Sequence, residues 1–280
     1  MKVTGIFIHP IKSCQRIALE QAEVTPKGFT WDRELMIVDH RQQFMTQRDY
    51  PQMAKIQVKL SGKVISLSVQ DESLEPFNFE PQLTGNTLAV KIWRDNTIAI
   101  DQGDEVAIWL QKALKLSPMQ PCRLVRQSPQ QLRRINPNYA RRSEDQVSFA
   151  DGYPFLLTNT ASLEELNRKI AENNLINISE VPMIRFRPNI VIESDCPFVE
   201  DDWKLIKIGE VYFDVVKPCD RCIVTTTDQF TGKRDELKEP LKTLATFRRQ
   251  AGGVMFGQNM IPQNTGVIHK EDQVQCLEHQ

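Results

Sequence analysis

Short β-favouring runs broken by tight turns succeed one another from Val3 to Asp101, and this pattern constrains the fold more than any other feature. Val3 to Ile8 ends at His9-Pro10, Ile17 to Val24 is extended, and Lys27-Gly28 turns the chain. Trp31 to Asp39 reads as the next strand, and His40 to Gln43 makes a tight connection to Phe44 to Arg48. Lys55 to Leu60, Val64 to Val69 and Thr87 to Asp101 continue the meander, while Asp71 to Gln82, polar and with two prolines, reads as a loop. Many short strands joined by short turns are the signature of a β-barrel or sandwich.

The pattern changes at Asp104. Val106, Trp109, Leu110 and Leu114 fall at helical spacing, with Asp104 and Glu105 suited to the first turn. This helix is expected to close a first domain, 1–118, with a second over 119–275. In the second part, Phe155-Leu156-Leu157 is apolar, and Thr160 or Ser162 is expected to cap a helix; its free N–H groups can hold an anion, though structural capping alone is the commoner role of such a cluster. Arg185 to Asn189 precedes a strand, Ile190 to Glu193. Lys204 to Ile208 and Val211 to Val216 read as a hairpin around Gly209-Glu210. Leu241 to Arg249 has helical spacing, Phe256 to Asn259 reads as a loop, and Thr265 to Ile268 as the last strand. The expectation is a mostly β protein with some α, an α+β class.

A formal net charge of -1 over 280 residues gives no global field to attract nucleic acid or an anionic membrane. No apolar run approaches the roughly 20 residues that cross a bilayer, and the N-terminus carries no cleavage signal. The six cysteines are scattered through a long chain, as suits a reducing compartment, and we expect a cytoplasmic protein. Local charge is another matter. Met119 to Arg142 holds six arginines and no acid. It reads either as a solvated connection or as a basic rim for an anion or an acidic electron donor.

Chemistry concentrates in Lys217-Pro218-Cys219-Asp220-Arg221-Cys222, where two thiols stand beside two cations. Positive neighbours favour the thiolate, the form that attacks electrophiles and binds metals. Zinc needs four ligands, and no second Cys-x-x-Cys pair or spaced histidines accompany this one. A thioredoxin-like dithiol would sit at a helix start, whereas Ile223 to Thr227 is β-favouring. Two packed thiols at a strand end are a third reading. Elsewhere Lys12-Ser13, Arg33, Thr46 with Arg48, and Arg187 with Asn189 lie at strand ends or turns, where binding groups collect on β-scaffolds. Cations with hydroxyl and amide partners suit a phosphate-bearing ligand.

These stretches carry a resemblance. Phe7-Ile8-His9-Pro10-Ile11-Lys12-Ser13, Trp31-Asp32-Arg33, Thr46 to Met53, Ser148 to Pro154, Ala161-Ser162-Leu163, Phe186 to Asn189, Lys217 to Cys222, Glu239 to Leu244 and Phe256 to Asn259 occur in order along the chain. Together they resemble the MOSC-domain molybdoenzymes with an N-terminal β-barrel domain. The similarity points to the bacterial hydroxylaminopurine-detoxifying branch, related to the mitochondrial amidoxime-reducing component.

The resemblance implies an N-terminal β-barrel-like domain packed on a C-terminal MOSC β-barrel domain with peripheral helices. It implies a molybdenum cofactor, a Mo-pyranopterin, with Cys222 as metal ligand and catalytic residue. Lys12, Ser13, Arg33, Thr46, Arg48, Ser162, Arg187 and Asn189 match positions around the pterin and its phosphate. Cys219 either orients the site or packs. The implied activity is reduction of N-hydroxylated compounds: hydroxylamines, N-hydroxylated bases and amidoximes. The alternative is a non-enzymatic cofactor-binding or sulfur-carrier protein using a persulfide. Several bacterial members of the family it resembles carry a C-terminal ferredoxin domain, but only Cys276 follows the central pair here. No iron–sulfur cluster is expected on this chain: either electrons are expected from a separate flavoprotein, ferredoxin or haem protein, or the sequence is a shortened piece of a longer protein.

Overall fold

The computed structural model describes residues 1–70, 74–131, 133–173 and 180–280. Strands dominate. The central sheet has nine strands, eight of them in the order Val274–His279, Trp203–Ile208, Val211–Asp220, Gly253–Pro262, Phe155–Asn159, Ile190–Glu193, Lys2–Ile8 and Ile17–Leu19. A four-stranded sheet orders Leu35–Asp39, Cys122–Gln127, Asp95–Asp101 and Thr87–Ile92. Two three-stranded sheets complete the β-structure: Gly266–His269 with Gln21–Thr25 and Gly28–Phe29, and Gln57–Ser61 with Val64–Ser68 and Phe77–Phe79. The mostly β, α+β expectation matches this architecture.

The two ends of the chain exchange strands. Lys2–Ile8 pairs antiparallel with Ile190–Glu193 in the central sheet, and Gly266–His269 pairs with Gln21–Thr25. Gln21–Thr25 shows why such segments become strands: alternate residues Ala22 and Val24 are buried, so one face joins the core. One apolar cluster joins Val3, Ile6 and Ile8 to Phe155, Ile190, Phe213 and Met260, and so binds the first strand to the central sheet. A second, around Leu35, Met53, Ile65 and Leu124, takes in Val106, Trp109 and Leu110 of the helix Asp104–Ala113. Trp109 also donates Nε1–H to the Glu75 carbonyl at 2.8 Å. The other α-helices among the described residues are Thr160–Asn173 and Leu241–Phe247.

Several local expectations differ from the fold. The strand expected from Trp31 begins only at Leu35. Asp32 is buried and accepts the His9 N–H at 2.7 Å, which bends Trp31 to Glu34 into a turn with Trp31 and Arg33 at φ 71° and 52°. Phe44 to Arg48 forms no strand: it makes one isolated bridge, Phe44 to Val38, and the neighbouring Gln43 makes another to Lys91. Within the expected loop Asp71 to Gln82, Phe77–Phe79 pairs with Val64–Ser68, while residues 71–73 lie outside the described residues. Cys122–Gln127, expected as connection, is a strand between Leu35–Asp39 and Asp95–Asp101. Ile223 to Thr226 is a 3-10 turn rather than extended.

Phe256 to Asn259, expected as a loop, lies in the strand Gly253–Pro262. Gly257 there has φ 78°, and a Cβ would meet the Leu157 carbonyl oxygen at 2.5 Å, so the close approach of the two strands requires glycine. Val274–His279 adds a last strand beyond the expected one.

Candidate functional site

Residues from both halves of the chain line one cleft of about 140 Å³ that opens to solvent. Lys12, Ser13, Arg33, Thr46 and Arg48 come from strand ends and turns of the first part. Arg187 and Asn189 come from the turn before Ile190–Glu193, and Cys222 follows the strand Val211–Asp220. Five cationic side chains line the cleft against two carboxylates, Asp151 and Asp220, so it is electropositive.

The backbone under these groups is locally constrained. Ser13, Arg33, Trp93 and Arg187 all sit in the left-handed region, with φ of 69°, 52°, 54° and 55°. Such conformations cost on the order of 1 kcal/mol or more each and persist where surrounding bonds over-determine them. Here those bonds are explicit. The Arg33 guanidinium donates to Asp32 Oδ2 at 2.6 Å, Asn189 Oδ1 at 2.9 Å and the Arg187 carbonyl at 3.1 Å. Arg187 reaches back across the chain to the Cys14 carbonyl at 2.8 Å. Arg33, Asn189 and Arg187 therefore form one unit that ties the two parts together.

Charge compensation is uneven. Lys12 is buried and donates to the Phe149 carbonyl at 2.9 Å and to Asp151 Oδ1 at 2.5 Å. Burial pulls its ammonium down to about 8, against the opposing attraction of Asp151. Arg187 is pulled down to about 10 by burial and then by the neighbouring Arg33, and stays charged at neutral pH. Its guanidinium contacts a carbonyl and the Gln229 amide oxygen, with no carboxylate within ion-pair reach among the described residues. Arg48 stacks over Trp93, 4.3 Å from the ring centroid, and likewise has no ion pair among the described residues. Two arginines thus face the cleft uncompensated, an arrangement that favours an anionic ligand.

The two thiols have different surroundings. Arg221 donates to Cys219 Sγ at 2.9 Å and to the Phe186 carbonyl at 2.5 Å. Lys217 does not join them: its ammonium lies over the Tyr139 ring, 4.9 Å from the centroid. Cys222 holds its backbone through Thr225, whose N–H and hydroxyl both donate to the Cys222 carbonyl, at 3.0 and 2.9 Å. Its Sγ makes no hydrogen bond among the described residues. The outcome is a fixed main chain presenting an uncommitted soft donor to a cationic cleft.

Ser162 is not brought to the cleft. It is fully buried in the first turn of Thr160–Asn173, donates to Glu200 Oε1 at 2.8 Å and accepts the Phe198 N–H at 2.8 Å. The helix start is held by Asn159, whose Oδ1 accepts the Ala161 N–H, so neither Ser162 nor Thr160 caps it. Its hydroxyl proton is committed to Glu200, and full burial away from the cleft keeps Ser162 from a ligand there.

Of the two readings of Arg123 to Arg142, a connection whose charge balances acids elsewhere or a basic rim, the ion pairs favour the first. Arg123 is paired with Asp101 and Asp104, and Arg126 with Glu34 while stacked on Trp31. Arg142 binds Asp145. Arg133 is buried, paired with Asp95, and donates to the carbonyls of Ser148, Ala150 and Asp151. It is a brace for the loop that lines the cleft, not a docking group.

Sequence reasoning missed Trp93, Tyr153 and Asn259 as lining residues, and Asp151 as partner of Lys12. Asp151 and Tyr153 lay within a stretch read as a turn, so a large or charged residue in a tight turn was the available signal for them. Trp93 lay inside Thr87 to Asp101, read as one extended stretch, and it reaches the cleft because the chain turns there between Thr87–Ile92 and Asp95–Asp101.

Residues 1–117 match the MOSC N-terminal beta barrel domain, and residues 144–275 match the MOSC domain. The chain is 32% identical to mitochondrial amidoxime-reducing component 1 of Mus musculus, over 98% of this chain and 82% of that protein. Identity and coverage are the same for the protein of that name from Homo sapiens. A molybdenum cofactor sulfurase of Danio rerio is also 32% identical, over 91% of this chain but only 31% of its own length.

Proposed function

Because this chain belongs to the family that joins a MOSC N-terminal beta barrel domain to a MOSC domain, we propose that its cleft binds a molybdenum cofactor and that it reduces N-hydroxylated compounds. The observation that supports this most is the uncommitted Cys222 Sγ in a cleft with two uncompensated arginines.

The residues fit such a group. No three His, Cys, Asp or Glu side chains converge on a metal position among the described residues. A metal at Cys222 would therefore bring most of its own ligands, as a pterin dithiolene does, and a single soft thiolate completes that set. Arg48 and Arg187 are the groups for the phosphate, with Ser13 and Thr46 hydroxyls beside them. When bound, the cofactor supplies the two electrons that convert an N–OH compound and two protons to the amine or amidine and water.

The chain's own part is positioning. The Arg33–Asn189–Arg187 unit holds the two halves in register around the cleft. Arg221, by binding Cys219 and the Phe186 carbonyl, fixes the segment that presents Cys222. The open mouth admits substrate and solvent protons. Electrons come from a separate donor protein, and a reducing compartment, the cytoplasm, keeps Cys222 a thiol; removal of toxic N-hydroxylated bases is the cellular role in this reading.

The test is molybdenum analysis of protein from a cofactor-competent host, followed by amidoxime and hydroxylaminopurine reduction with an artificial donor. Metal with turnover supports the reading, and metal-free, inactive protein refutes it. The similarity to a sulfurase favours a second reading, a sulfur carrier with a persulfide on Cys222. A labile sulfur adduct in the mass spectrum without turnover would select it.

A further inference from the structure

A second, larger cavity of about 970 Å³ adjoins the cleft and shares with it Trp93, Asp151, Gly152 and Tyr153. Its volume lies at the upper end of the roughly 300–1,000 Å³ typical of small-molecule sites. Its charges do not cancel. Each carboxylate lining it is already paired: Asp95 with Arg133, Asp145 with Arg142, and Asp151 with Lys12 on the cleft side. Arg94, Arg134 and Lys217 line the same cavity and have no carboxylate partner among the described residues. Arg134 bonds the Ser143 carbonyl, and Lys217 lies over the Tyr139 ring. Aromatic surface is present too, since Tyr139 and Tyr153 pack edge to face with centroids 6.0 Å apart and Trp93 forms part of the shared wall.

We propose that this second cavity receives the body of an anionic aromatic substrate, the 5′-monophosphate of a nucleoside with an N-hydroxylated base. The proposal rests on the reductase reading above and names the substrate class for it. The phosphate binds the uncompensated cations, the planar base meets the tyrosine pair and Trp93, and the N–OH reaches the cleft over the shared wall. A free base or uncharged nucleoside would leave Arg94, Arg134 and Lys217 without a counter-charge, so the cavity discriminates in favour of the nucleotide.

Calorimetric titration of the full chain with adenosine 5′-monophosphate and with adenosine tests the site without turnover. The nucleotide should bind about tenfold tighter or better. Arg94→Gln and Lys217→Gln should each remove most of that difference and leave adenosine affinity unchanged. Equal affinity for the two ligands, or a difference intact in both variants, overturns the proposal. So does nucleotide binding that is lost only in Lys12→Met, which would place the phosphate in the cleft. Slower electron delivery from an acidic donor protein in the variants, with no nucleotide binding by the wild type, also overturns it and assigns the cations to docking. On molybdenum-loaded enzyme, kcat/KM for the N-hydroxylated monophosphate should exceed that for its nucleoside by the same factor. Nucleotide binding without reduction of either supports the cavity assignment while counting against the reductase reading.

Discussion

Arg221 donates to the sulfur of Cys219 at 2.9 Å, while the sulfur of Cys222, three residues on in the chain, has no hydrogen-bond partner among the described residues. Two thiols that are equivalent on paper therefore have separate tasks. One anchors the segment, and the other is left to a ligand. Cys222→Ala should abolish turnover with little loss of stability, because its side chain is half exposed and unbonded. Cys219→Ala should lower turnover about 10–100-fold, as removal of groups that orient a ligand typically does. Assays with an artificial donor, read beside molybdenum content, check both; an active Cys222→Ala protein would refute the ligand assignment.

Anion binding at the cleft should weaken above pH 8. Burial holds the Lys12 ammonium down at about 8, so the free protein loses this charge as pH rises through that value. The unfolded chain keeps the proton to about 10.4. Between these values the unfolded state binds more protons, and the Lys12 contribution to stability rises with pH even as anion affinity falls. Phosphate titrations from pH 6 to 10 should show the decline, and Lys12→Met should flatten it. A decline of equal size in Lys12→Met would discount Lys12.

Arg133→Ala should destabilise the protein by about 3 kcal/mol, the scale for breaking a buried, bonded cation. It should also lower turnover, since Arg133 braces the carbonyls of Ser148, Ala150 and Asp151 beside the cleft. Arg134→Ala, at an exposed position, should change stability little. Urea denaturation of the two variants makes the comparison, and equal midpoints would contradict the brace.

Ser162→Ala should cost about 1–3 kcal/mol, because Glu200 is buried and loses a donor. Molybdenum content per folded molecule should not change. A selective loss of cofactor would return Ser162 to the binding site.

Gly257→Ala should destabilise by more than about 2 kcal/mol, combining a positive φ with a Cβ only 2.5 Å from the Leu157 carbonyl oxygen. Thermal unfolding measures it, and an unchanged midpoint would mean the two strands separate freely.

What the amino-acid sequence determined by itself was mostly local. Turn residues between β-branched runs announced a β-rich protein, helical spacing announced Asp104–Ala113, and ordered motifs pointed to a ligand held by cations and a thiol. These are readable because periodicity and turn chemistry act over a few neighbouring residues. The tertiary structure decided which groups remain available. Eight of the nine residues picked as a site line one cleft, yet Ser162 is buried away from it, its hydroxyl bonded to residues 36 and 38 positions away. Four of the six arginines between 123 and 142 are neutralised by acids, and Arg33 is held by residues 154 and 156 positions distant. Whether a charge or a thiol is spent inside the fold or offered to a ligand depends on what distant strands place within about 3 Å of it, and no local pattern encodes that distance.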